Sequence, residues 1–184
     1  DPNWGEPDLG PAERVYGWNS FEVLAFKTGN PEHPVNAIPP RAHAHCQIRF
    51  IQGSKPDEFL PALRQHLDAN GFPMVEIAPP PPGNAIDFIA TRTEPDNPWV
   101  RWADAAIERT SGQATAVLPQ LGGSICNDIF SETLGLPTIW IPHSYAACSQ
   151  HAPNEHILLS EARDAIQLMA GLYWDLGEPG TPAK

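Results

Sequence analysis

The chain has 184 residues, room for one ordinary domain or two small ones. Its 11 basic and 22 acidic side chains leave a net charge of −11, which argues against nucleic acid or an anionic membrane as partner, since both select clustered Lys and Arg. No run of about 18 apolar residues occurs, so no segment is expected to span a bilayer.

In chain order, Asp1–Glu6 has neither the basic start nor the apolar core of a signal peptide. Phe21–Phe26 is predicted as a strand ended by Gly29-Asn30. Ala42–Phe50 alternates with period two, placing Ala, Cys, Ile and Phe on one side and His43, His45, Gln47 and Arg49 on the other. Asp57–Asn70 carries Phe59, Leu60, Leu63 and Leu67 at helical spacing, with Gly71 as the stop. Short strands are expected at Met74–Ile77 and Ile86–Ala90, around the Pro79–Pro82 run. The order strand, strand, helix, strand matches a ferredoxin-like split β-α-β without its first strand and helix.

Beyond a polar, Pro-containing hinge near Arg92–Pro98 the pattern changes. Helices are predicted at Trp99–Thr110, closed by Ser111-Gly112, and at Ile125–Leu134. Strands are predicted at Ala114–Leu118 and at Thr138–Ile141, the latter an apolar β-branched run suited to a buried parallel strand. Ser160 is the expected N-cap of a last helix with Ile166, Met169, Tyr173 and Leu176 on one face. The reading is α/β with an α+β first part, divided into residues 1–92 and 93–184.

Three segments carry candidate chemistry. Gly122-Gly123-Ser124 ahead of a helix can offer backbone N–H groups and a hydroxyl to an anion, or be a plain capped turn. Leu134-Gly135-Leu136-Pro137 follows, and then His151-Ala152-Pro153-Asn154-Glu155, where a neutral imidazole suits zinc and Pro153 stiffens the chain beside it. His43 and His45 share one face of a strand, as zinc pairs do, but no third ligand is evident nearby. A Ser124 or Cys126 nucleophile with His143 or His151 as base is a further reading, but the Gly-x-Ser-x-Gly elbow is missing. Cys46, Cys126 and Cys148, an odd and widely spaced set, fit reduced thiols in a cytoplasmic protein.

Gly-Gly-Ser, then Leu-Gly-x-Pro, then His-Ala-Pro-Asn-Glu resembles the C-terminal end of the M20 family of dinuclear zinc peptidases and amidohydrolases. The resemblance implies a lid and dimerisation domain over residues 1–92 and the C-terminal part of a catalytic domain over 93–184. By the same resemblance His151 matches the last zinc ligand, and Gly123 and Ser124 the turn that holds the substrate's carboxylate end. Asn36 and Arg49 match lid residues that touch substrate, a role their side chains suit, an Arg fork for a carboxylate and an Asn amide for a carbonyl oxygen. Arg49 is alternatively a solvated charge on the exposed sheet face. No role is assigned to His143 or His156.

The family uses two zincs, with cobalt or other divalent metals possible, and a metal-bound hydroxide that attacks an amide beside a free carboxylate. Its other ligands, an early His-x-Asp, a Glu-Glu pair supplying the general base, and a further acid, precede the lid and are expected to be missing here. The resemblance therefore implies a part of a hydrolase acting on small peptides or N-acyl amino acids, homodimeric through its lid, and inactive as this chain alone. The alternatives are a non-catalytic dimerisation module, or one chain of a nicked or two-chain hydrolase.

Overall fold

The computed structural model describes residues 4–79, 88–118, 120–121, 123 and 125–183. Two compact units emerge, one of Asp1–Thr91 with Gln120–Asp128, the other of Arg92–Pro119 with Ile129–Lys184.

The first unit opens with a short helix, α1 (Pro11–Tyr16), followed by strands β1 (Ser20–Thr28) and β2 (Ala42–Arg49) and helix α2 (Pro56–Ala69). The strands pair antiparallel, Ser20 against Arg49 and Thr28 against Ala42, with a bulge at Leu24. Residues directly opposite share a face. His43, His45, Gln47 and Arg49 therefore line up with Lys27, Ala25, Glu22 and Ser20, while Ala44, Cys46 and Ile48 line up with Phe26, Val23 and Phe21. The alternation predicted for β2 is thus realised. Pro56 starts α2, where a missing N–H costs nothing. Its Phe59 ring packs 5.4 Å from Phe50, with Leu63 and Leu67 half-buried behind it and Leu60 exposed.

The strand expected at Met74–Ile77 does not form. Arg64 of α2 donates from Nη2 to the Phe72 carbonyl at 3.1 Å and from Nη1 to the Val75 carbonyl, so a helix side chain meets the need a neighbouring strand would otherwise meet. Of the strand expected at Ile86–Ala90, residues 86 and 87 lie outside the described residues, and 88–90 form no ladder.

The second unit is built on α3 (Pro98–Ser111) and α4 (Leu159–Asp175). Asn97 caps α3 by accepting from the Trp99 N–H at 2.9 Å, and Gly112, at φ +71°, ends it in the left-handed conformation glycine adopts without penalty. Ala103, Ala106 and Leu172 form the buried centre between the two helices, flanked by half-buried Trp102, Ile107, Ile141 and Met169. At the helix ends Arg109 pairs with Asp175 at 2.8 Å.

The helices approach closely at Gly171, where an added Cβ would lie 3.0 and 3.1 Å from Cγ2 and Cβ of Thr110 and collide with its hydroxyl. Replacing Gly171 with Ala should therefore destabilise the unit by about 1–2 kcal/mol, overpacking outweighing the helix-propensity gain. Thermal unfolding of G171A beside the double variant G171A/T110A checks this. If the double variant loses as much as the single one, the clash is not the cause.

Five expectations for the second half of the chain are corrected. Ala114–Leu118 and Thr138–Ile141 are not strands: among the described residues the sheet is β1–β2 alone, and a strand needs at least one hydrogen-bonded neighbour. Instead, the Thr93 hydroxyl serves both backbone groups of Thr138, donating to its carbonyl at 2.8 Å and accepting from its N–H at 3.0 Å. The helix expected at Ile125–Leu134 narrows to a π-helical turn, Ile129–Thr133, next to Gly135 at φ +64°. Ser160 lies inside α4, whose N-cap position is Leu158. The buried side of α4 is Leu172 and Met169, while Ile166 and Tyr173 are 71% and 70% exposed. Its polar residues, Ser160, Glu161, Arg163, Asp164, Gln167 and Asp175, gather on one face, and α3 covers only part of the apolar remainder.

Candidate functional site

His151 sits in a loop that closes on itself. Ala146–Cys148 is one 3₁₀ turn, with the Cys148 N–H on the Tyr145 carbonyl at 3.0 Å, and Cys148 is buried. From there the chain runs out to His151 and returns until the His156 N–H donates to the Cys148 carbonyl at 3.0 Å, closing the neck. Inside the loop the Ala152 N–H donates to the Ser149 carbonyl at 2.9 Å, and the His151 N–H to Glu155 Oε2 at 3.3 Å.

Three of its residues are left-handed without being glycine: Ser149 at φ +57°, His151 at +61° and Asn154 at +63°. Asn and His are found in this region more often than other side chains; the conformation still costs a residue with a Cβ about 1 kcal/mol or more, and Ser149 lacks even that preference. Such strain persists only where surrounding bonds over-determine the backbone, as the closed neck and the Glu155 contact do here. The His151 side chain is exposed.

His156 Nδ1 lies 2.8 Å from the Asn154 carbonyl, which can only accept, so Nδ1 carries the proton and in the neutral ring Nε2 is left as acceptor. The Tyr145 ring packs edge-on against this imidazole at 6.1 Å, and its buried hydroxyl has no partner among the described residues.

The remaining candidates lie in the first unit. Asn36 is exposed at the apex of a tight turn closed by the Ala37 N–H on the Val35 carbonyl at 2.8 Å. Arg49 ends β2 with its Nε 3.3 Å from Glu22 Oε2, while Glu22 Oε1 accepts from Ser20 at 3.1 Å. Gly123 is described, its N–H on the Leu121 carbonyl at 2.8 Å; Gly122 and Ser124 fall outside the described residues. His43 and His45 share the polar face as expected, with Lys27 and Ala25 opposite them.

Solved structures share this fold. An M20 family metallo-carboxypeptidase from Sulfolobus solfataricus superposes with a TM-score of 0.67 at 21% identity, over 92% of this chain and 39% of that one. The di-peptidase Dug1p from Saccharomyces cerevisiae superposes with a TM-score of 0.70 at 17% identity, over 91% of this chain and 36% of that one. The fold is that of part of an M20 metallopeptidase. No family model matches the sequence, and no curated protein does. This chain therefore spans well under half the length of the M20-fold structures it resembles.

Within this M20 fold, the donor set can be tested against zinc. A structural or catalytic zinc needs at least three protein ligands. Among the described residues no three His, Cys, Asp or Glu side chains converge, so the residues described do not make up a complete metal site.

One His-x-Asp does occur, His66-Leu67-Asp68, against the expectation that the chain has none. It lies in α2, where residues two apart point away from each other, and Asp68 is paired with Arg64 at 2.7 Å. It is a helix surface. Sequence reasoning also passed over Glu22, whose period-two position facing the Arg49 strand is a usable signal.

Proposed function

We propose that this chain is part of a metal-dependent hydrolase that cleaves an amide or peptide bond beside a free carboxylate. His151 contributes one metal ligand, zinc being the expected ion and cobalt an alternative. Asn36, Arg49, Gly123 and Ser124 contact small peptide or N-acyl amino acid substrates. The observation that carries the reading is the M20 fold together with a strained, self-closed loop spent on presenting one histidine. Strain of this kind collects where a side chain must be held in one orientation.

The same reading makes the isolated chain inactive, because a lone histidine neither holds two metals nor supplies a general base. The test is metal content per chain after mild dialysis against zinc, with hydrolysis of acyl amino acids and dipeptides measured with and without a chelator. The expected result is close to no bound zinc and no chelator-sensitive hydrolysis. A content of roughly two zincs per chain, the complement of a dinuclear site, overturns it.

A non-catalytic dimerisation module is favoured by one observation: Phe21, Val23 and Phe26 form an exposed apolar stripe on β1. In that reading α2 and an edge strand join two copies. Light scattering on metal-free protein separates the readings, a stable dimer favouring the module. A co-purifying partner of similar size instead indicates a two-chain hydrolase. Three free thiols suit a cytoplasmic location, and among the described residues no helix is long and apolar enough to cross a membrane.

A further inference from the structure

The cations of this acidic chain are mostly accounted for. Arg49, Lys55, Arg64, Arg92 and Arg109 each face a carboxylate, and Arg14 donates to the Trp4 carbonyl. Among the described residues Lys27, Arg41, Arg101 and Arg163 have no carboxylate partner. Two of these four, Lys27 and Arg41, line one groove.

The groove lies where the β1–β2 hairpin opens into its loop, about 330 Å³ in volume, and is lined by Lys27, Thr28, Gly29, Pro40, Arg41 and His43. Lys27 and His43 are opposite each other in the ladder and so project from the same face. The Thr28 hydroxyl donates to the Arg41 carbonyl at 3.2 Å, tying the strand ends together. Gly29, at φ +61°, turns so closely on Pro39 that an added Cβ would lie 3.2 Å from its ring. The frame is thus stiffened by a side-chain tie and two consecutive prolines, Pro39 and Pro40.

No acidic side chain lines it. In a chain of net charge −11, juxtaposed cations without a counter-charge repel each other, although twice as many acids as bases are available for pairing. The larger cleft beside α3 makes the contrast: its Arg101 and Arg109 are accompanied by Asp175 and Glu178. The hairpin groove lies about 20 Å along β2 from Arg49, six residues at the rise of a strand.

We propose that this groove is a binding site for a small oxyanion, a carboxylate or a phosphate group. Arg41 offers a planar fork that grips two oxygens, Lys27 a point charge, and His43 an N–H donor. The site is independent of the hydrolase reading, because none of its residues belongs to the metal or substrate set proposed above. All three donors are exposed, so binding is weak and salt-sensitive.

The experiment is an NMR titration of the full 184-residue chain with inorganic phosphate and, separately, with glutarate, at low salt. Saturable shifts confined to residues 27–29 and 40–43 are expected for at least one of the two, and their relative affinities distinguish phosphate from carboxylate as the group recognised. Lys27→Ala and Arg41→Ala should each weaken binding about tenfold, the loss of one charge-assisted contact, while Arg163→Ala on α4 leaves it unchanged. The proposal is overturned if neither anion saturates, if K27A and R41A bind as the parent does, or if R163A weakens binding equally.

Discussion

Replacing Leu172 with Ala is expected to cost the α3–α4 unit about 3 kcal/mol, a large share of the roughly 5–15 kcal/mol that keeps a domain folded. The buried cluster consists of Leu172 at 7% exposure with Ala103 and Ala106 at 3% and 0%, so one side chain supplies most of its apolar volume. Leucine-to-alanine changes in cores span about 2–5 kcal/mol depending on how far the site collapses. Here the facing alanines cannot reach into the hole, whereas half-buried Trp102, Ile107 and Met169 can shift toward it. A mid-range value follows. Denaturant unfolding followed by tryptophan fluorescence checks it, with Ile166→Ala as control. Ile166 projects into solvent from the same helix, and its loss should stay within about 0.5 kcal/mol. Equal effects at the two positions would mean that α3 does not pack on the Leu172 side.

The second large effect is a conflict between stability and function at His151. His151→Gly should raise the chain's stability by up to about 1 kcal/mol, because the left-handed backbone at φ +61° penalises a Cβ that glycine lacks. Part of this relief is offset by the greater freedom of glycine in the unfolded chain. His151→Ala keeps the Cβ and gains nothing. Asn154→Gly should gain a similar or smaller amount, since Asn and His are both enriched in the region. If His151 is the metal ligand proposed above, both His151 variants are expected to abolish metal-dependent cleavage by the parent enzyme. Calorimetry on the three variants decides the stability half. If H151G is no more stable than H151A, the loop holds His151 without strain.

Much of the first unit was legible in the residues. The alternation from Ala42 to Phe50 predicted both faces of β2, and the spacing of Phe59, Leu60, Leu63 and Leu67 predicted the packed side of α2 except at Leu60, which is exposed. Both signals are local, resting on periods of two and 3.6 residues. Met74–Ile77 failed because the competing bonds came from Arg64, a side chain on another element that no local pattern reveals. Thr138–Ile141 failed for a related reason. Its β-branched, apolar composition describes a buried parallel strand, yet a strand exists only when another pairs with it, and Thr93 takes the Thr138 backbone instead. On α4 the apolar arc is wider than one partner helix can cover, and α3 selected its Leu172 side over Tyr173.

At the candidate site the division falls differently. His151 stood out in the sequence by its company, Pro153, Asn154 and Glu155, with the glycine turns ahead of it. Nothing in those letters indicates that Ser149 and His151 adopt a left-handed backbone, which accompanies the loop closed by the His156–Cys148 hydrogen bond. Likewise Lys27 and Arg41 are 14 positions apart and unremarkable as letters, and the hairpin register brings them to one groove. Composition and periodicity by themselves determined the charge and the class of the strongly periodic elements, whereas His151 was singled out by the resemblance of its motif to the M20 family. The tertiary structure alone decided which apolar faces are covered, where the backbone is strained and which cations lack a counter-charge. Each of these depends on contacts between residues far apart in the chain, whose energies a local pattern does not contain.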